Sequence, residues 1–81
     1  MVQSVFTPRY QALRRLLVDA RKKQGLSQAA LAESLGRAQT YVSKYERGER
    51  RLDLVEFLAV TDALGLDAVK LVRQIQSIGA T

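Results

Sequence analysis

Eighty-one residues with a formal net charge of +5, 47% apolar and 26% charged, describe one small soluble domain. Having neither Cys nor His, the chain excludes a disulfide scaffold, the usual zinc sites and any Ser-His or Cys-His nucleophile, and no cofactor is expected. No apolar run approaches the roughly 20 residues that span a bilayer and no secretory signal opens the chain, so the expectation is a cytoplasmic binding module, not an enzyme.

The positive charge is unevenly spread. Residues 1–52 hold eleven Lys and Arg against Asp19, Glu33, Glu46 and Glu49, whereas 53–81 hold Lys70 and Arg73 against Asp53, Glu56, Asp62 and Asp67. The first part suits a polyanion and the second does not. The same excess also suits an ordinary solvated face.

In chain order, residues 1–7 form an N-terminal arm and 8–81 a single domain. Thr7 as N-cap and Pro8 at the first helical position start a helix over 8–23, with Leu13, Leu16, Leu17 and Ala20 at helical spacing. Lys22 and Lys23 suit its negative end, and Gly25 stops it. A second, two-turn helix over 27–35 runs from the N-cap Ser27 to Gly36, too short to persist without packing. A third occupies 38–46, with Val42 and Tyr45 on one face and Gln39, Thr40, Ser43 and Lys44 elsewhere. A basic loop follows. Asp53 then caps a helix over 53–64 with Leu54, Phe57, Leu58, Thr61 and Leu64 as its apolar set. Asp67 caps the last, over 67–77, where Val69, Val72, Ile75 and Ile78 keep a three-residue rhythm beside Leu71. Nothing alternates with period two, so the fold class is all-α, five short helices in one compact domain.

The second and third helices carry the informative pattern. So tight a turn forces a steep crossing, with small Ala32 at the contact, Gly36 free to take a positive φ, and Leu31, Leu35 and Val42 filling the angle. This is the sequence form of a helix-turn-helix, whose exposed second helix fits a major groove about 12 Å wide.

The run SQAALAESLG, followed by QTYVSKYERGERRL and ALGL, resembles the phage-repressor-like helix-turn-helix family, the Cro/C1 or XRE type, over roughly Leu13 to Leu71. Within it, QTYVSKYERGERRL looks most like the controller proteins of restriction–modification systems, a pattern shared with antitoxins and phage regulators. The resemblance implies a transcriptional regulator of the repressor type, nucleoid-associated, binding double-stranded DNA as a homodimer. Gln39, Thr40, Ser43 and Lys44 then face base edges, while Gln28, Tyr41, Arg47, Arg50 and Arg51 face phosphates. Alternatively, these polar residues are a solvated face, with Arg50 and Arg51 pairing with Glu49 or Asp53. Tyr45 departs from the family, which favours an aliphatic residue there, and its hydroxyl needs a partner or solvent.

The resemblance also pairs Glu46 with Arg21. The pair is expected to be structural and largely buried, the alternative being a solvated contact. Leu71, Val72, Ile75 and Ile78 are the expected dimer contact, bringing two recognition helices into successive major grooves of a near-palindromic operator. The competing assignment covers a monomer core with them. A rival function is an antitoxin or adaptor whose C-terminal helix binds another protein.

Overall fold

A computed structural model describes residues 7–79; the expectation of an arm at 1–7 lies outside it except for Thr7. Five α-helices follow in order: α1 (Pro8–Lys23), α2 (Gln28–Leu35), α3 (Gln39–Glu46), α4 (Leu54–Leu64) and α5 (Ala68–Gln76), with no strand among the described residues. Four of them start one residue later than the sequence reading placed them. Ser27, Ala38, Asp53 and Asp67 each have extended backbone angles and precede the first helical residue. This is where a capping residue belongs, half outside the helix it closes.

The side chains at these ends do the expected chemistry. Thr7 Oγ1 accepts from Tyr10 N at 3.2 Å and Ser27 Oγ from Ala30 N at 3.0 Å. Asp53 goes further: its carboxylate accepts from Glu56 N, and the Glu56 carboxylate accepts in return from Asp53 N, a complete capping box. Gly36 ends α2 with φ 67°, a left-handed conformation that a residue with a Cβ resists.

The core gathers Leu17 from α1, Leu31 and Ala32 from α2, Val42 and Tyr45 from α3, Phe57, Val60 and Leu64 from α4, and Leu71 from α5. The eight-residue α2 is about 12 Å long, below what stands alone in water, and the buried Leu31 and Ala32 hold it against α3. Burying Leu31 contributes about 1.5–3 kcal/mol toward holding it there. α2 and α3 make the most extensive contact of any two helices.

Two apolar assignments are corrected by the packing. Leu71, expected at a dimer contact, is only 6% exposed and belongs to the core. A strict three-residue rhythm drifts about 60° backwards per step, so Val69 and Val72 rotate off the core face while Ala68, Leu71 and Ile75 stay on it; Ile78 lies beyond the end of α5 and is exposed. In α4, likewise, Val60 is buried where Leu54 and Leu58 were expected, and those two are exposed.

Candidate nucleic-acid interface

α3 is held on one face and open on the other. Val42, Tyr45 and Glu46 are buried, while Gln39, Thr40 and Lys44 are exposed in a row on the outer side. Ser43, at the edge of that row, is half-buried, and its hydroxyl accepts from Arg47 Nη1. Of the four expected base-reading residues, three therefore stand free toward solvent. Lys44 makes no ion pair among the described residues.

The C-terminal end of α3 is fixed from inside. Arg21 forms a two-pronged ion pair with Glu46, Nε to Oε2 at 2.7 Å and Nη2 to Oε1 at 3.0 Å, with both side chains largely buried. The hydrogen bond to Glu46 holds the Arg21 guanidinium above its ordinary pKa. Arg21 Nη1 also donates to Leu26 O at 2.8 Å, tying the end of α1 to the entry of α2. Gln28, expected at a phosphate, instead donates Nε2 to Glu46 Oε1 at 2.9 Å. The donors left at the start of α2 are the backbone N–H groups of Gln28 and Ala29, which a helix leaves without internal acceptors, Ala30 N being taken by Ser27.

Arg14 is a residue the sequence reading passed over. Its Nε and Nη2 donate to the backbone carbonyl of Glu46 at 3.0 and 2.6 Å, placing a cation on the negative end of α3. Gly48, just beyond, has φ 78°, and a Cβ there would meet the Arg14 guanidinium carbon at 3.3 Å. The signal was available, since Arg14 and Arg21 lie seven residues apart and share one stripe of α1.

The flank of α3 is basic but compensated. Arg47 pairs with Glu49, Nε to Oε2 at 2.9 Å and Nη2 to Oε1 at 3.0 Å, on the open surface. Arg47 in turn keeps the Glu49 carboxyl below the usual range. Arg50 grips Glu56 at 3.0 and 2.8 Å, and Arg37 reaches the same carboxylate at 3.7 Å. Both guanidinium groups lie over the ring of Tyr41, at 4.5 Å for Arg37 and 4.7 Å for Arg50. Burial raises the Tyr41 hydroxyl above its ordinary pKa, and the ring meets Tyr45 edge-on at 5.8 Å. Arg51 is exposed and lies 5.7 Å over the ring of Tyr10, whose hydroxyl accepts from Leu52 N at 3.0 Å. Arg37 and Glu56 were also absent from the expected set. Glu56 was legible as the third residue after a capping aspartate.

Tyr45 itself is 1% exposed, and its hydroxyl has no hydrogen-bond partner among the described residues. Burial drives that hydroxyl well above the ordinary phenol range. The described residues hold no cluster of carboxylates fit for a metal ion, and no described helix is long and apolar enough to cross a membrane.

A tightly crossed helix pair with an open polar row on the second helix, set in a basic surround, defines a helix-turn-helix DNA-binding protein. The helix-turn-helix family model matches residues 17–71. An XRE-family like protein from Pseudomonas syringae pv. tomato str. DC3000 has the same fold, with a TM-score of 0.86 and 40% sequence identity over 95% of this chain and 94% of that one. Comparison with the curated proteins found no match. The chain belongs to the helix-turn-helix family of the XRE (Cro/C1) type and is a DNA-binding regulator.

Proposed function

We propose that this regulator binds a near-palindromic operator as a homodimer, with α3 as the recognition helix. The observation that carries this reading is the row Gln39, Thr40 and Lys44, exposed on a helix whose opposite face is locked by Val42, Tyr45 and Glu46. A Gln amide pairs bidentately with adenine, a Lys ammonium reaches guanine O6 and N7, and a Thr methyl meets the thymine methyl. Ser43 stands at the margin of the row and reaches a base only by releasing Arg47.

Arg47 beside Ser43, Arg50 over Tyr41, and Arg51 in the loop after α3 serve the phosphate backbone, with the Tyr41 hydroxyl and the first turn of α2. The Gln28 side chain contributes indirectly by holding Glu46. Residues 8–81 act as one domain in this proposal, with 1–7 as an arm.

Dimer formation is supported by apolar side chains outside the core. Val72 and Ile78 are 47% and 44% exposed, and Ile75 is half-buried beneath them. Leu54 of α4 joins Val72 and Ile75 along one shallow groove of about 210 Å³. A two-fold axis there pairs the same patch with itself and sets the two recognition helices about 34 Å apart.

The test is selection of bound duplexes from a random pool by the purified protein at near-physiological salt. Recovery of inverted half-sites one helical turn apart is the expected result. Recovery of no preferred sequence, with binding that vanishes as salt rises, overturns the reading and turns attention to a protein partner for the apolar patch.

A further inference from the structure

The cluster at the flank of α3 has more to it than surface charge. Glu56 sits at the third position of α4, where its Oε1 accepts from Asp53 N at 3.0 Å and closes the cap. The same carboxylate accepts two bonds from Arg50 and approaches Arg37, and both arginines rest on Tyr41, the third residue of α3. Arg50 is pinned once more, since its Nη1 donates to Arg51 O at 2.9 Å. One carboxylate thus joins the turn before α3, the ring on α3, the loop after it and the start of α4.

We infer that Glu56 is a positioning and specificity residue for DNA binding: it orients Arg50 and Arg37 on Tyr41 while cancelling much of their charge. The inference rests on the proposed use of α3 and its flank as the DNA interface. Its physical basis is the difference between a phosphate contact that orients and one that merely attracts. Phosphate contacts fix register without carrying sequence information, and each uncompensated cation strengthens binding to every duplex alike. An arginine already paired keeps its direction, and its remaining N–H groups can still meet a phosphate, but it adds little to indiscriminate attraction.

Glu56 is suited to this and Glu49 is not. The Glu56 side chain is only 14% exposed, whereas Arg47 and Glu49 are each 54% exposed, an ion pair that water and salt dissolve readily. Hydrogen bonds from Arg50 hold the Glu56 carboxyl down to about 2, so the compensating charge persists into mild acid.

The test uses Glu56→Gln, which keeps an acceptor oxygen for the capping box and removes the charge together with one of the two oxygens that hold Arg50. Binding to short random-sequence duplexes is measured as a function of salt. Freeing one arginine is expected to steepen the slope of log affinity against log salt by about 0.9, which extrapolated from 1 M salt is about fivefold tighter binding at about 150 mM. Duplexes selected as specific gain less, so the ratio of specific to random binding falls. Glu56→Ser makes the same charge change with a different side chain and must show the same steepening. Adding Arg37→Gln and Arg50→Gln to Glu56→Gln must abolish the gain, because the effect acts through those two side chains.

Unchanged slope and random-duplex affinity in both single variants overturn the inference and leave Glu56 as a helix cap alone. Weaker binding in both overturns it as well. A wild-type protein that binds no duplex even at low salt sinks the DNA-interface reading and this inference with it. Wild-type binding without the gain sinks the inference only.

Discussion

At Glu46 one carboxylate takes two bonds from Arg21 and one from Gln28, while the backbone carbonyl of the same residue takes two from Arg14. A charge so enclosed is costly to strand. Arg21→Met is expected to lower unfolding free energy by about 3–5 kcal/mol in urea titrations, and joint replacement of Arg21 and Glu46 by Met by much less than twice that. The neighbouring Tyr45 presents the opposite case, a buried hydroxyl without a partner. Tyr45→Phe removes the unsatisfied group and keeps the ring, so it should raise the denaturation midpoint by an amount worth about 1 kcal/mol, with an unchanged slope. A lowered midpoint would mean that the hydroxyl is satisfied after all. On the outer face, Lys44→Ala is expected to cost about 1–3 kcal/mol in operator binding and to relax preference at one base pair. Equal weakening on all sequences, with a salt slope lower by about one, would instead make Lys44 a phosphate contact.

The helices show how far local rules reach. N-caps at Thr7, Ser27, Asp53 and Asp67 and the stop at Gly36 were legible because each acts within a few residues of chain. Which face of α4 and α5 turns inward was not. Both helices offer apolar residues on more than one side, and only the packing of the other helices decides that Val60 and Leu71 are core while Leu58 and Val72 are not. The α4 cap carries a pH prediction. Glu56 is depressed in the folded state to about 2 from an ordinary 4.5, so its contribution is fully present above about pH 4.5 and is lost as pH falls toward 2. The stability difference between wild type and Glu56→Gln, followed by urea titration, should therefore be constant above about pH 5 and shrink below it. A difference that does not change with acidification would show that the Arg50 and Asp53 contacts contribute nothing to stability.

For the molecule as a whole, the largest group of cations and the exposed apolar residues sit mainly on different helices. Arg37, Lys44, Arg47 and Arg50 lie on or beside α3, whereas Leu54, Val69, Val72 and Ile78 stand exposed on α4 and α5 and just beyond. In the proposed dimer, two copies meet through the apolar face and present α3 to DNA. Val72→Asp is expected to convert the sedimenting species to a 9.0 kDa monomer and to weaken operator binding at least about tenfold. Its melting temperature should change little beyond the loss due to dissociation, because the side chain is half-exposed in the protomer. A variant that still sediments as a dimer would place the contact elsewhere, and a wild type that sediments as a monomer would overturn the proposed dimer.

From sequence alone came the number and order of the helices, their caps, the helix-turn-helix and the open row on α3, because each depends on residues a few positions apart. The partner of Glu46 was also legible there, but through resemblance to a family and not through spacing. Tertiary structure alone decided what depends on distant segments meeting. It set Arg14 against the end of α3 across 32 residues, turned Gln28 from the surface to Glu46, and brought Arg37, Tyr41, Arg50 and Glu56 into one cluster. An arginine in a sequence is a charge with many possible partners, and only packing, which fixes the distance and the dielectric around it, selects one.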